Sequence, residues 1–305
     1  MILSVTLNPS VDRTLIVETL KVADTNRVLN TETDAGGKGI NVARVVGELG
    51  IDVLATGFLA GKPGLYVKHV LDQEGVPHSF VEVPGETRLN VLVESADGPP
   101  TTFNERGPEI SNESWTQLLD TICSRIDSFT YVAMGGSIPP GLGPEAFSEI
   151  VSAVDRPCVV DADGAAMRIA LDCKPFMVKP NRQEAERLLN VTIGDVGRAL
   201  RAARELRDRG VTIAIVSLGK DGAVMSSGQG DFVAEPPRVE AVSTVGAGDS
   251  LIGGFMYGLE KCMSYEDCLR WGIAAGAATA TTDASEICKR PKVEELLPGV
   301  IIREP

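Results

Sequence analysis

Residues 130–217 contain four short apolar runs: TYVAM (130–134), PCVVD (157–161), FMV (176–178) and IAIVS (213–217). Helical patterns near 143–153, 181–189 and 194–209 separate them. Short β-rich runs without a polar alternation read as strands buried on both faces. Strands that alternate with helices read as parallel neighbours joined by crossovers. Working outward, ILSVTL (2–7) and VLATGF (53–58) are of the same kind, with helical patterns near 38–49, 64–74 and 111–124. Beyond residue 240 the texture turns to Gly- and Ala-rich helices near 248–260 and 264–282. The pattern predicts an α/β fold with a mainly parallel central sheet covered by helices on both faces.

Two segments break the alternation. Residues 12–33 hold RTLIVE and RVLNT with no long helix between them. Residues 86–105 hold ETRLNVLVES and PTTFNE around the turn Asp97-Gly98-Pro99-Pro100. They read either as unrelated surface hairpins or as one small antiparallel sheet that closes over a site. Asp12, Arg27 and Arg88 at its edges favour a lid.

The formal net charge of -13 argues against a nucleic-acid or anionic-membrane partner. A small anion held by a local group of Lys and Arg stays compatible with it. No apolar run approaches the roughly 20 residues of a spanning helix. The N-terminus reads directly as a strand without a basic leader, so a cytoplasmic protein is expected. Six scattered cysteines contain no C-x-x-C pair and are expected to be reduced. With only His69 and His78 present, a base working near neutral pH is expected to be a carboxylate.

Two glycine-rich motifs carry the chemistry. Ser243-Thr244-Val245-Gly246-Ala247-Gly248-Asp249-Ser250 opens a helix, and its glycines let successive N–H groups converge on one small space. With the helix dipole this forms an anion nest beside one carboxylate, suited to transferring a phosphoryl group to a hydroxyl. A plain turn whose Asp caps the helix fits the eight residues equally well. Residues 34–44, DAGGKGINVAR, offer close backbone approach at Gly36 and Gly37, a cation at Lys38 and a carboxamide at Asn41. That set can hold a polyol, or it is a helix start chosen for packing. Neither G-x-x-x-x-G-K-[ST] nor the G-x-G-x-x-G of dinucleotide-binding folds occurs here.

TLNPSVD (6–12), AGGKGINVAR (35–44), GGSIPPG (135–141), VKPNRQE (178–184), VSLGKDGA (216–223) and STVGAGDS (243–250) follow in one order. Together they resemble the phosphofructokinase-B group of the ribokinase-like superfamily over nearly the whole chain. LNPSVD, GETR (85–88) and ELLPGV (295–300) are most similar to its 1-phosphofructokinase and tagatose-6-phosphate kinase branch.

The resemblance implies a single ribokinase-like domain over 1–305, with a β lid inserted at about 12–33 and 86–105. It implies Asp249 as catalytic base and the backbone of Gly246, Ala247 and Gly248 as anion hole. Asp12, Gly37, Lys38 and Asn41 match sugar-binding positions, Arg88 a contact to the phosphate already on the sugar, and Ser137 a further sugar or sugar-phosphate contact. Arg27 matches a lid cation that a neighbouring subunit can supply. Lys179, Asn181, Glu184, Ser217 and Gly219 match the nucleotide side, with Glu184 acting on Mg2+ through water. Asn181 and Glu184 also read as a helix cap and capping box. The helix segment Ala275-Gly276-Ala277-Ala278 fits close packing on adenine, and helix packing alone explains it equally well.

The implied activity is an ATP- and Mg2+-dependent kinase acting on fructose 1-phosphate, in a homodimer paired through the lid. Fructose 6-phosphate and tagatose 6-phosphate are alternative acceptors. A monovalent-cation requirement and control by ATP are left open. A non-catalytic sugar-phosphate sensor and a nicotinamide-dependent dehydrogenase are the readings from other classes.

Overall fold

The structure is a computed structural model that describes residues 1–95, 98–283 and 286–305, without the side chain of Pro99. Asp97 of the expected turn lies outside the described residues. In chain order the strands are β1 (Ile2–Thr6), β2 (Ser10–Val17), β3 (Val28–Gly36), β4 (Val53–Leu59), β5 (His78–Glu82), β6 (Arg88–Ser95) and β7 (Gly98–Asn104). They continue as β8 (Tyr131–Gly135), β9 (Cys158–Asp161), β10 (Met177–Val178), β11 (Ile213–Ser217), β12 (Ala223–Ser227), β13 (Gly230–Glu235) and β14 (Ile301–Arg303). The helices are α1 (Lys38–Glu48), α2 (Gly61–Gln73), α3 (Asn112–Cys123), α4 (Ala146–Ala153) and α5 (Gly164–Asp172). They are followed by α6 (Arg182–Leu189), α7 (Val196–Asp208), α8 (Ala247–Glu260), α9 (Tyr265–Thr279) and α10 (Arg290–Leu296).

The large sheet runs β14-β13-β12-β11-β10-β9-β8-β1-β4-β5. It is parallel from β11 to β5, and β12 to β14 add an antiparallel edge. Alternate residues of each strand feed two apolar layers, as a two-residue period requires. Ile213 and Ile215 of β11 join the layer under α1, α2, α8, α9 and α10, while Ala214 and Val216 join that under α3 to α7. Burial of both faces explains why these strands read as unbroken apolar runs. Among the described residues no helix is long and apolar enough to cross a membrane.

Both interrupting segments enter one four-stranded sheet, ordered β3-β2-β6-β7. Each forms an antiparallel hairpin, and the hairpins join through the parallel pair β2–β6, in which Asp12 stands opposite Asn90.

Strand order reverses between β1 and β8: the chain passes from β1 to β4 on one side and later to β8 on the other. Ligands in open α/β sheets bind beyond the carboxyl ends of strands at such a switch point. Asn8 follows β1 there, Ser137 follows β8, Asp161 ends β9 and Lys179 follows β10.

Candidate active site

Gly246 begins α8 with φ 74, a left-handed conformation that an L side chain resists, and no side chain caps the helix. The Gly248 and Asp249 N–H groups of the first turn are therefore available to an anion, while the Ala247 N–H reaches the Thr244 carbonyl oxygen in a long bond of 3.4 Å. Asp249 lies inside this first turn and does not cap it, which removes the capping alternative. Its carboxylate is buried and accepts a hydrogen bond from Asn41 Nδ2 at 2.8 Å. Burial, and then the nearby Asp161 carboxylate, push Asp249 up to about 6, while Lys38, Asn41 and Lys179 act in the opposite sense. A buried carboxylate titrating there is ionised at neutral pH yet basic enough to take a proton from a hydroxyl.

Two cavities meet at this helix start. A polar one of about 620 Å³ is lined by Ser10, Asp12, Gly37, Lys38, Asn41, Arg88, Asn90, Asn104, Ser137, Glu184, Gly246 and Asp249, among others. A more apolar one of about 520 Å³ is lined by Ser217, Gly219, Lys220, Pro237, Arg238, Val239, Ala247, Gly248, Leu251, Ile273, Gly276 and Ala277, among others. Gly246 and Asp249 face the first, and Ala247 and Gly248 face the second. The first turn of α8 therefore borders both cavities.

The polar cavity gathers most of the residues expected on the acceptor side. Asp12 Oδ1 accepts from Ser10 Oγ at 2.7 Å and from Asn90 Nδ2 at 2.8 Å. This engages one carboxylate oxygen and fixes the other. The Asp12 carboxylate also fills the space where a Cβ on Gly36 would stand, so a side chain there would push that carboxylate aside. Arg88 Nε donates to the Asn8 carbonyl oxygen at 3.2 Å, and the guanidinium lines the cavity. Burial holds Arg88 below its usual value, with Asp12 opposing. Arg27 departs from this grouping: it is exposed on the turn before β3 and does not line the cavity of its own chain. The turn and the first residues of β3 project beyond the core, which leaves them solvated.

Asp161, which sequence reasoning passed over, ties the two halves together. It is 2% exposed, and its Oδ1 lies 3.0 Å from Lys38 Nζ while its Oδ2 lies 3.3 Å from Lys179 Nζ. Burial alone would raise its pKa, but Lys179 and Lys38 outweigh that and hold it low. Lys38 is raised because Asp161, Glu184 and Asp249 together overcome the effect of its own burial. A Cβ on Gly248 would lie 3.3 Å from Lys179 Nζ, so this ammonium stands beside the anion nest.

Asn181 caps α6, and Glu184 completes the capping box through the Asn181 N–H at 2.8 Å. The other Glu184 oxygen is 3.6 Å from Lys38 Nζ. Ser217 bridges to Asn181 and, with Gly219, borders the apolar cavity, as do Gly276 and Ala277 of α9. Ser10, Asn90 and Asn104 are further polar wall residues that the motifs did not single out; the cross-strand pairing of β2, β6 and β7 brings them in.

Comparison with known proteins agrees with this architecture. The chain is 36% identical to the 1-phosphofructokinase of Borreliella burgdorferi over 300 residues, 97% of this chain and 96% of that protein. It is 35% identical to the 1-phosphofructokinase of Escherichia coli K12 at the same coverage. The solved structure of Escherichia coli phosphofructokinase-2 in complex with potassium superposes with a TM-score of 0.89 at 30% identity, covering 97% of this chain and 98% of that one. The family model described as pfkB family carbohydrate kinase matches residues 5–292. A ribokinase-like sheet, a helix start free to hold an anion and a full-length sequence match lead to one conclusion: the chain belongs to the pfkB family of carbohydrate kinases.

Proposed function

We propose that the protein is an ATP-dependent 1-phosphofructokinase, transferring a phosphoryl group to D-fructose 1-phosphate to give fructose 1,6-bisphosphate. The observation that carries this is the α8 N-terminus, which forms the boundary between a polar cavity with a buried base and an apolar cavity of nucleotide size. The relatives' names supply the acceptor.

In this proposal Asp249 accepts the proton of the acceptor hydroxyl, with Asn41 orienting its carboxylate. The N–H groups of Gly246, Ala247 and Gly248 stabilise charge on the transferring group, assisted by Lys179. Asp12, Gly37, Lys38 and Asn41 hold the sugar. Arg88 and Ser137 hold the phosphate already present on it.

The second cavity fits an adenine nucleotide: Val239, Leu251, Ile273 and Ala277 offer an apolar wall, and Ser217 and Gly219 a polar rim. The family's chemistry uses ATP with a divalent cation. Among the described residues no three His, Cys, Asp or Glu side chains form a metal cluster. Mg2+ carried on the nucleotide phosphates would therefore meet Glu184 through water and neutralise phosphate charge. The potassium in the Escherichia coli phosphofructokinase-2 structure supports extending monovalent-cation binding to this chain.

The whole chain acts as one domain, with the small sheet as a lid that excludes water during transfer. Leu29 and Phe103 on that sheet are 69% and 59% exposed, which favours pairing with the sheet of a second copy. In such a homodimer Arg27 would serve the partner's acceptor site. The enzyme is cytoplasmic in this proposal. An ADP-release assay against fructose 1-phosphate, fructose 6-phosphate, tagatose 6-phosphate and unphosphorylated sugars tests it, with the highest kcat/KM expected for fructose 1-phosphate. A preference for another acceptor would change the assignment, and no turnover with any would remove it.

A further inference from the structure

Asn8 does not line the polar cavity, yet it touches two residues that do. Its backbone carbonyl accepts from Arg88 Nε at 3.2 Å. Its side-chain Nδ2 donates to Ser137 Oγ at 3.1 Å and to the Arg106 carbonyl oxygen at 3.0 Å. The residue is 4% exposed, so this arrangement is held rigidly at the carboxyl end of β1. A carbonyl can only accept, so the Arg106 contact fixes which end of the Asn8 amide faces Ser137.

This has a consequence for the serine. An oxygen that accepts from Asn8 must direct its own O–H elsewhere, and among the described residues no acceptor takes that proton. Ser137 is exposed and lines the polar cavity. Asn8 therefore takes one of the two Ser137 lone pairs and leaves its O–H free to donate toward the ligand. A phosphate oxygen needs a donor, whereas a sugar hydroxyl is satisfied by either role. The same residue, through its backbone, restrains Arg88 by Nε and leaves the two Nη groups directed to the cavity wall.

We propose that Asn8 is a positioning and specificity residue that fixes the proton of Ser137 toward the acceptor's phosphate. This rests on the phosphosugar-kinase proposal above and adds to it a residue outside the ligand contacts. Replacing the Asn8 side chain leaves its backbone carbonyl, and hence the Arg88 contact, in place but removes the bonds to both Ser137 and the Arg106 carbonyl, which the cycle with Ser137 separates.

The test is a double-mutant cycle between Asn8→Ala and Ser137→Ala, read as KM for fructose 1-phosphate and, separately, for ATP. Each single variant is expected to raise the phosphosugar KM about five- to thirtyfold, the range of one hydrogen bond to a charged group or somewhat less. The KM for ATP should stay unchanged, and the double variant should match Ser137→Ala alone. A phosphosugar KM within about twofold of wild type in Asn8→Ala, or penalties that multiply in the double variant, would overturn the proposal. Should Asn8→Ala lose its cooperative melt, Asn8→Leu, closer in shape, takes its place in the cycle. Loss of folding in both makes the residue purely structural and also overturns it. Wild-type protein that phosphorylates no phosphosugar would instead overturn the kinase proposal, before any Asn8 variant is compared.

Discussion

Asn41 and Asp249 stand 208 positions apart in the chain and meet through one hydrogen bond, Nδ2 to Oδ2 at 2.8 Å. The contact joins α1, which follows the small sheet, to α8, which borders both cavities. Burial raises Asp249 to about 6, and the Asn41 donor limits that rise by favouring the ionised form. Turnover should therefore fall as pH drops through about 6, because protonated Asp249 cannot accept a proton. Asn41→Ala removes a group that lowers the pKa, so the acidic limb of kcat against pH should move to higher pH. A limb that stays in place would separate Asn41 from the titration.

Asp249→Asn should lower turnover by about 10²–10⁴-fold, the usual contribution of a general base. Sugar-phosphate binding, followed by calorimetry, should persist. The same substitution should stabilise the fold near neutral pH. A carboxyl raised in the native state favours folding below its unfolded value of 3.8, and that advantage is lost as pH rises through about 6. The Tm difference between variant and wild type should be largest above pH 7 and shrink toward pH 4. A variant that melts below wild type at pH 8 would contradict this.

Arg88→Ala should raise the KM for a phosphosugar by roughly 10–100-fold, the worth of charge-assisted hydrogen bonds to phosphate, while the KM for ATP changes little. Steady-state kinetics with each substrate varied in turn measures both. Equal changes in the two constants would take Arg88 out of the phosphate site.

Asp161→Ala leaves Lys38 and Lys179 facing one another without the carboxylate that each now touches. Breaking a buried charge network from one side costs about 3–5 kcal/mol. Urea unfolding should show a loss of that order, accompanied by higher KM values for both substrates, because Lys38 lines the polar cavity and Lys179 stands beside Gly248 of the α8 turn. A loss below about 1 kcal/mol would mean that water replaces the carboxylate at little cost.

Gly36→Ala places a methyl group where the Asp12 carboxylate lies, and Ser10 and Asn90 hinder that carboxylate from moving away. The phosphosugar KM should rise while the thermal midpoint changes by only a few degrees, as roughly 1 kcal/mol of local adjustment would give. An unchanged KM would show that Asp12 can turn aside freely.

The α/β architecture was legible because strands buried on both faces leave apolar runs, and 213–217 and 2–7 show this plainly. The edge strands were not: β12 and β13 follow a helix-poor region, and β14 is only three residues long, too short to leave a pattern. At the site, Asp249, Lys38 and Asn181 were legible because glycines and caps surround them locally. Asp161 was not, since VVDADG looks like any strand end and its partners are Lys38, 123 positions away, and Lys179. Asn90 and Asn104 escaped for a similar reason: only strand register, which no local signal sets, brings them to the cavity wall. Arg27 shows the reverse case, a residue marked by its motif context that a single copy of the chain leaves in solvent.

The two cavities share no lining residue, and the short turn from Thr244 to Asp249 divides its members between them. Mutations that remodel the wall around Arg88 and Ser137 therefore leave the lining of the apolar cavity unaltered, and the converse holds for Val239 and Ile273. The lining of one cavity can therefore change while that of the other keeps its residues. The residues at 244–249 are the ones whose substitution reaches both cavities at once.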